Sequence, residues 1–185
     1  SNKASELKLK PNLKQYYSPA FTWTRKLFRG NINKIVKVNE THFLNFQKEI
    51  GKVNIIHAHS AHPAGWVAMV LAKKYAIPYV ITEHMGPFPF KVFLTKSGNL
   101  DNFLKRPLQE SSANVAVSPQ LRNTMTKCSI PKVRYIPNLT DENFFKPKPS
   151  TYVSNSSFTF FTLARLVEGK GISFLLQAFK LINQN

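Results

Sequence analysis

The spacing of apolar residues alternates along the chain between two patterns. This alternation predicts strands that alternate with helices. Short apolar runs rich in β-branched residues indicate strands, and apolar residues three and four positions apart indicate helices. The predicted strands are 53–59, 77–84, 113–118, 132–138 and 158–165, and the predicted helices are 34–50, 63–75, 100–111, 119–127 and 172–184. Strands that alternate with helices in this order favour an α/β fold with a parallel, doubly wound sheet.

Prolines and caps set several of the expected helix ends. Pro63 is expected in the first turn of the second helix, where a missing N–H does no harm. Ser118 is the expected N-cap of the fourth helix, with Pro119 as its first residue. Pro107 weakens the prediction of the third helix, because proline interrupts helical hydrogen bonding. Residues 1–33 have no clear period.

The composition changes after the fourth predicted strand and indicates two domains. Segment 139–157 is polar and proline-rich, as linkers often are. We assign residues 1–145 to a partial Rossmann-like domain, residues 146–157 to the linker, and residues 158–185 to the start of a second such domain. One strand and one helix cannot bury their own apolar faces. We therefore expect the remainder of this second domain to lie outside the 185 residues.

The charge is strongly unbalanced and favours anionic partners. The 185 residues include 26 Lys and Arg against 9 Asp and Glu, a net charge of +17. The basic residues are dispersed and accompany no nucleic-acid motif, so a nucleic-acid partner is not expected. An anionic membrane surface or a phosphate-bearing substrate fits better. With one cysteine, no apolar leader and no run of about 18 apolar residues, we expect a cytoplasmic protein with peripheral contact at the inner face of the membrane.

Histidines cluster at the end of the first strand of the predicted sheet. His57 and His59 share one face of that strand, because Ala58 between them points the other way. The carboxyl ends of parallel strands are where such folds bind ligands. His62 and His84 complete a possible metal set, but the spacing matches no common zinc module. The residues therefore favour a site role for His59, and for His57 they leave open either a site role or a buried hydrogen-bonding role.

Four segments, in this order and spacing, resemble a known family. They are "IIHAHSAHPAGWVAMVLAKKYAIPYVITEH", "VAVSPQLRNTM", "VRYIPNLTDENFFKP" and "FTLARLVEGKGISFLLQAF". Together they resemble the retaining glycosyltransferases of family 4, also called glycosyl transferases group 1. The resemblance covers roughly residues 50–185 and includes no motif in the first 50. It implies the GT-B fold, in which one Rossmann-like domain binds the acceptor and a second binds a sugar nucleotide, with no metal or other cofactor.

The resemblance also implies roles for individual residues. His59 is expected to reach the reacting sugar, and Glu83 and His84 are expected beside it as catalytic groups on the acceptor side. His57 and Asn138 are expected to support that site from neighbouring positions.

A separate pair is expected to bind the donor. Arg165 and Lys170 match the positions that hold the donor diphosphate in the family. The chemistry agrees, because a departing diphosphate gains negative charge and a guanidinium with an ammonium can stabilise it without a metal.

The chain departs from the family pattern in two places. It contains no Gly-Gly pair, and the family's two glutamates eight residues apart do not occur before Asn185. We therefore expect these 185 residues to be inactive alone. The function predicted is transfer of a sugar from a nucleotide-sugar donor to a glycan or lipid-linked acceptor with retention, in cell-surface polysaccharide assembly. The alternative is a non-catalytic module that binds a glycan or a partner protein.

Overall fold

The computed structural model describes residues 5–10, 12–21, 30–146 and 159–182 of the chain. They belong to two compact units, Ser1–Leu139 and Thr140–Asn185. The predicted linker 146–157 therefore lies outside the described residues except for its first residue, and the predicted domain boundaries remain predictions.

The first unit contains a four-stranded parallel sheet. Its strands, in chain order and in spatial order, are β3 (Ile56–His59), β4 (Tyr79–Glu83), β5 (Ala113–Ala116) and β6 (Val133–Tyr135). The connecting helices are α2 (Trp66–Tyr75), α3 (Asn102–Glu110) and α4 (Pro119–Lys127). The predicted α/β class with a parallel Rossmann-like sheet is confirmed.

Burial alternates along these strands and separates two faces of the sheet. Ala58, Ile81 and Ala116 are buried under the helices, and His57 and His59 on the other face are exposed. Helix α2 packs on β3 and β4, as its nearly continuous apolar sequence predicts. The expected common face of His57 and His59 is thus present.

Helix α3 contains Pro107, and the surrounding structure satisfies polar groups at its two ends. Asp101 caps the first turn by accepting the Phe103 N–H at 2.7 Å. At the other end, the Tyr79 hydroxyl donates to the Pro107 carbonyl at 2.7 Å, and the Asn114 amide donates to the Leu108 carbonyl at 2.8 Å. Burial raises the pKa of the Tyr79 hydroxyl, which therefore stays a donor.

The start of α2 differs from the prediction. Pro63 lies in a separate short turn, Ala61–Gly65, rather than in the first turn of the helix. His62 in that turn has extended backbone angles of −136° and 131°, which no α-helical residue adopts, so the regular helix begins only at Trp66.

An antiparallel hairpin near the start of the chain was not predicted. Strands β1 (Ser5–Lys10) and β2 (Leu13–Tyr17) pair with an irregularity between Lys8 and Lys10. The hairpin contacts helix α1 (Ile32–Glu49), where both the Lys14 ammonium and the Tyr16 hydroxyl bond to the Glu49 carboxylate.

The second unit contains one regular helix among its described residues, α5 (Ile172–Ile182). The strand predicted at 158–165 is wrong where it can be compared: residues 159–165 are irregular, and Phe158 lies outside the described residues. A strand needs a neighbour for its ladder hydrogen bonds, and residues 140–146 and 159–182 supply none. Across the described parts of both units, no helix has the length and apolar character needed to cross a membrane.

The contact between Gly65 and Ile81 yields a first prediction. A Cβ on Gly65 would lie 2.8 Å from the Ile81 Cδ1 at the centre of β4. We expect Gly65→Ala to lower the free energy of unfolding by about 1–3 kcal/mol, because either the fully buried Ile81 side chain or the start of the helix must shift. Urea denaturation followed by circular dichroism measures this change.

Gly86→Ala is the matched control for this substitution. No atom lies within 4 Å of a Cβ at Gly86, so the free energy of unfolding should change by no more than about 0.5 kcal/mol. Equal effects of the two substitutions would contradict the close approach of α2 to β4.

Candidate active site

The carboxyl ends of β3 and β4 bring two predicted site residues into contact. His59 is the last residue of β3 and pairs in register with Thr82, and His84 directly follows β4. The His59 Nδ1 lies 3.0 Å from the His84 Nε2, and the two rings stack with centroids 5.3 Å apart. One of these nitrogens must carry a proton and the other a lone pair, so the two imidazoles act as one hydrogen-bonded pair.

His57 belongs to the same cluster. Its Nε2 lies 2.8 Å from the Thr82 hydroxyl, and its ring centroid lies 4.5 Å from that of His59. The side chain is exposed, so the buried role left open for His57 is excluded, although the predicted hydrogen bond is present. Partial desolvation and, to a smaller extent, the neighbouring His59 and His84 lower the pKa of His57. Near neutral pH this imidazole is therefore uncharged.

The three imidazoles stand at one end of a cavity of about 440 Å³ on the sheet face that helices α2 and α4 leave uncovered. Valine side chains of β4 and β5, together with Ile136, form an apolar floor. Asn138 lies at the border of the cavity, and its supporting role remains a prediction. A small polar cluster beside an apolar floor is a common composition for a ligand site.

Glu83 does not share this cavity, and the catalytic role predicted for it does not fit its surroundings. It is fully buried on the helix-covered face of β4, because strand alternation turns it away from Thr82 and His84. Its carboxylate accepts backbone N–H groups from Ala61, His84 and Met85 at 2.8 to 2.9 Å. A carboxylate bonded in this way does not reach a substrate bound on the opposite face of the sheet.

His62 is also separated from the cluster. Its ring packs 5.3 Å from the ring of Phe93 and 6.3 Å from that of Phe103, measured between centroids. Within the described ranges, no group of three or more His, Cys, Asp or Glu side chains has an arrangement that could hold a metal ion. The four-histidine metal set considered from the sequence is therefore not assembled.

A comparison with protein families identifies this chain at the level of its family. The model of the family described as Glycosyltransferase Family 4 matches residues 12–144, which is more than two thirds of the chain. The chain belongs to glycosyltransferase family 4. No curated protein matches it. Membership of family 4 supports a glycosyltransferase-type function, with a sugar donor and an acceptor as substrates in general terms.

The family 4 match has different limits from the resemblance seen in the sequence. It includes residues 12–49, which carry the hairpin strand β2 and helix α1, although the sequence shows no family motif there. It ends before Arg165 and Lys170. Both of these side chains are exposed, in the irregular segment and short turn that precede α5. Their assignment to a donor diphosphate therefore remains a prediction.

The sequence analysis missed one residue of the candidate site, Thr82. Its hydroxyl is the partner of His57, and its side chain lies on the cavity face, whereas its sequence neighbours Ile81 and Glu83 point to the helix-covered face. Strand alternation places Thr82 and His84 on one face and Glu83 on the other. The sequence therefore contained a signal that Thr82 faces the site and that Glu83 faces away from it. The register that sets Thr82 beside the histidines required the structure.

The environment of His57 yields a second prediction. Nuclear magnetic resonance titration should give a pKa for His57 below the ordinary value of 6.5. His59→Gln should raise the pKa of His57, because the His59 imidazole is one of the neighbours that lower it. In the unaltered chain, His57 binds a proton at a higher pH when the chain is unfolded than when it is folded. Stability therefore falls as the pH is lowered from 6.5 to the pKa of His57 in the folded chain.

His42→Gln is the control for that titration. His42 lies on α1 with its ring against Tyr16, so its replacement should leave the pKa of His57 unchanged. A pKa of 6.5 or more for His57 in the native chain would contradict the described environment.

Proposed function

We propose that this family 4 protein contributes to transfer of a sugar from a nucleotide-sugar donor to a glycan or lipid-linked acceptor, with retention of configuration. The reaction we propose belongs to cell-surface polysaccharide assembly. The observation that carries the proposal is the contact between His59 and His84 beside the 440 Å³ cavity, within the segment that matches the family.

The imidazole pair provides the acceptor chemistry in this proposal. If the His59 Nδ1–H donates to the His84 Nε2, the His59 Nε2 keeps its lone pair and accepts a hydrogen bond from an acceptor hydroxyl. That hydroxyl attacks the anomeric carbon from the side of the departing diphosphate, as retention requires. The bond between this carbon and the diphosphate oxygen breaks, and the His59 Nε2 takes the proton of the hydroxyl. The neighbouring ring accepts the hydrogen bond of the imidazolium so formed. His57 and Asn138 border the cavity and contact the acceptor.

The donor chemistry is assigned to the second unit. Arg165 and Lys170 bind the diphosphate of the donor, and their positive charge stabilises it as the glycosidic bond breaks. The N-terminal end of α5 directly follows them and favours the same anion. We propose that this chemistry needs no metal ion, which a chelator tests: added chelator should leave nucleotide-sugar binding unchanged.

The same proposal extends to where the protein acts. The excess of positive charge suits peripheral contact with an anionic membrane at its cytoplasmic face, where a lipid-linked acceptor would be found. The charge serves the donor and the membrane, and no nucleic-acid partner is proposed.

One observation favours the alternative of a non-catalytic binding module. Every residue that lines the cavity lies within the family match, whereas both proposed donor residues lie outside it. A protein that kept the cavity and lost donor binding would recognise a glycan or a partner protein without transferring a sugar.

Donor binding distinguishes the two functions. We expect calorimetry to detect binding of a UDP- or GDP-sugar, and Arg165→Ala to weaken it at least about tenfold, since a charged hydrogen bond to phosphate is lost. Arg122→Ala is the matched control, because Arg122 is an exposed arginine of α4 and should leave binding unchanged. Glycan binding without nucleotide affinity, tested on a panel of free and lipid-linked oligosaccharides, would support the module instead.

Transfer by the 185 residues alone is the next test. We expect no turnover with nucleotide sugar and oligosaccharide acceptors, because the family's glutamate pair beside the donor sugar is not among these residues. A radiolabelled sugar-transfer assay measures this, and ordinary turnover would refute the proposed inactivity.

A further inference from the structure

The buried carboxylate of Glu83 connects the two loops that follow β3 and β4, next to the imidazole pair. Among the residues that the structure describes, Glu83 is the one fully buried carboxylate. Burial of an ionised group is costly unless hydrogen bonds replace its hydration. At Glu83, hydrogen bonds from three backbone N–H groups replace this hydration.

Each oxygen of the Glu83 carboxylate holds a different loop. Oε2 accepts the Ala61 N–H at 2.8 Å, at the second residue after His59. Oε1 accepts the N–H groups of His84 and Met85, both at 2.9 Å, in the loop that follows β4. Backbone bonds to a charged acceptor are stronger than neutral ones. The chain directly after His59 is thus tied to the backbone of His84 itself.

We propose that Glu83 is a positioning residue, which fixes the loops after β3 and β4 so that the His59 and His84 imidazoles meet at hydrogen-bond distance. It acts from the opposite face of the sheet and touches no substrate. The inference rests on the proposed function only for the statement that the imidazole pair contacts the acceptor. The contact between His59 and His84, which the inference explains, is present in the chain itself.

The bonding pattern requires a carboxylate rather than an amide. All three partners are donors, so the position needs an acceptor at both terminal atoms. Glutamine has nearly the same shape but presents an NH₂ group at one of them. That group would face either the Ala61 N–H or the N–H pair of His84 and Met85, and one loop would be released.

Glu83→Gln tests the proposal through the imidazoles rather than through activity. In the unaltered chain, long-range ¹H–¹⁵N spectra should show hydrogen-bonded nitrogens at His59 Nδ1 and His84 Nε2. In Glu83→Gln these signals should move to the values of solvent-exposed imidazoles. Hydrogen exchange at Ala61, or at His84 and Met85, should accelerate at least about tenfold, as expected for loss of a charged hydrogen bond.

Asp101→Asn is the matched control. It too replaces a carboxylate that accepts a backbone N–H, at the start of α3, but it is remote from the imidazole pair in the chain and bonds neither loop. The imidazole signals of Asp101→Asn should match those of the unaltered chain, even if this substitution lowers the free energy of unfolding as much as Glu83→Gln does. Loss of the pair's signals in Asp101→Asn would show that general destabilisation is sufficient, and would overturn the assignment.

The unaltered chain provides a second measurement in case Glu83→Gln does not fold. The amides of Ala61, His84 and Met85 should be protected from exchange, and rates equal to those of an unstructured peptide would overturn the proposal. So would a folded Glu83→Gln that keeps the signals of the pair. Neither readout depends on a donor or an acceptor, so failure of sugar or glycan binding would refute the proposed function and leave this inference standing.

Discussion

Parallel pairing of β3 with β4 is the constraint on which the candidate site depends. The register sets His57 opposite Val80 and His59 opposite Thr82. Two parallel strands end at the same edge of a sheet, so residues 25 positions apart in sequence come within hydrogen-bond distance. A slip of one residue would turn both histidines of β3 toward the helices and dissolve the cluster.

The two faces of this sheet carry different tasks. On the covered face, the missing side chain of Gly65 lets the start of α2 approach Ile81, and Glu83 satisfies backbone donors from two loops. On the open face, imidazoles and a hydroxyl border an apolar cavity. Packing and buried hydrogen bonding on one side therefore hold polar groups in place on the other, where they remain accessible to a ligand.

Much of this arrangement is readable from the sequence, and the reasons for the exceptions are physical. The four segments that form the parallel sheet contain short apolar runs with β-branched residues, so period and composition agree. The hairpin escaped notice because Leu7, Leu9 and Leu13 stay about half exposed, and no buried face marks the alternation. Helix α3 forms in spite of Pro107, and bonds from Tyr79 and Asn114, distant in sequence, hold its C-terminal end.

The histidines of the candidate site were named from the sequence, but Thr82 was not. Strand alternation identified His57 and His59 as neighbours, and the resemblance to family 4 identified His84. The surroundings of Glu83 depend on which backbone amides it bonds, and one of them, that of Ala61, belongs to a loop more than twenty residues earlier in the chain. The strand predicted at 158–165 failed because period alone does not supply a pairing partner.

The hairpin is attached to α1 in a way that sets it apart from the sheet. Lys14 pairs with both Glu6 and Glu49 at the surface, and the hydrogen bond to the Glu6 carboxylate raises the pKa of the lysine. Exposed charges are screened by dissolved ions over about 8 Å at physiological ionic strength, whereas apolar packing is not. The attachment of β1 and β2 to α1 through Lys14 should therefore weaken as the salt concentration rises. The apolar packing of the sheet that carries the imidazoles should not weaken in this way.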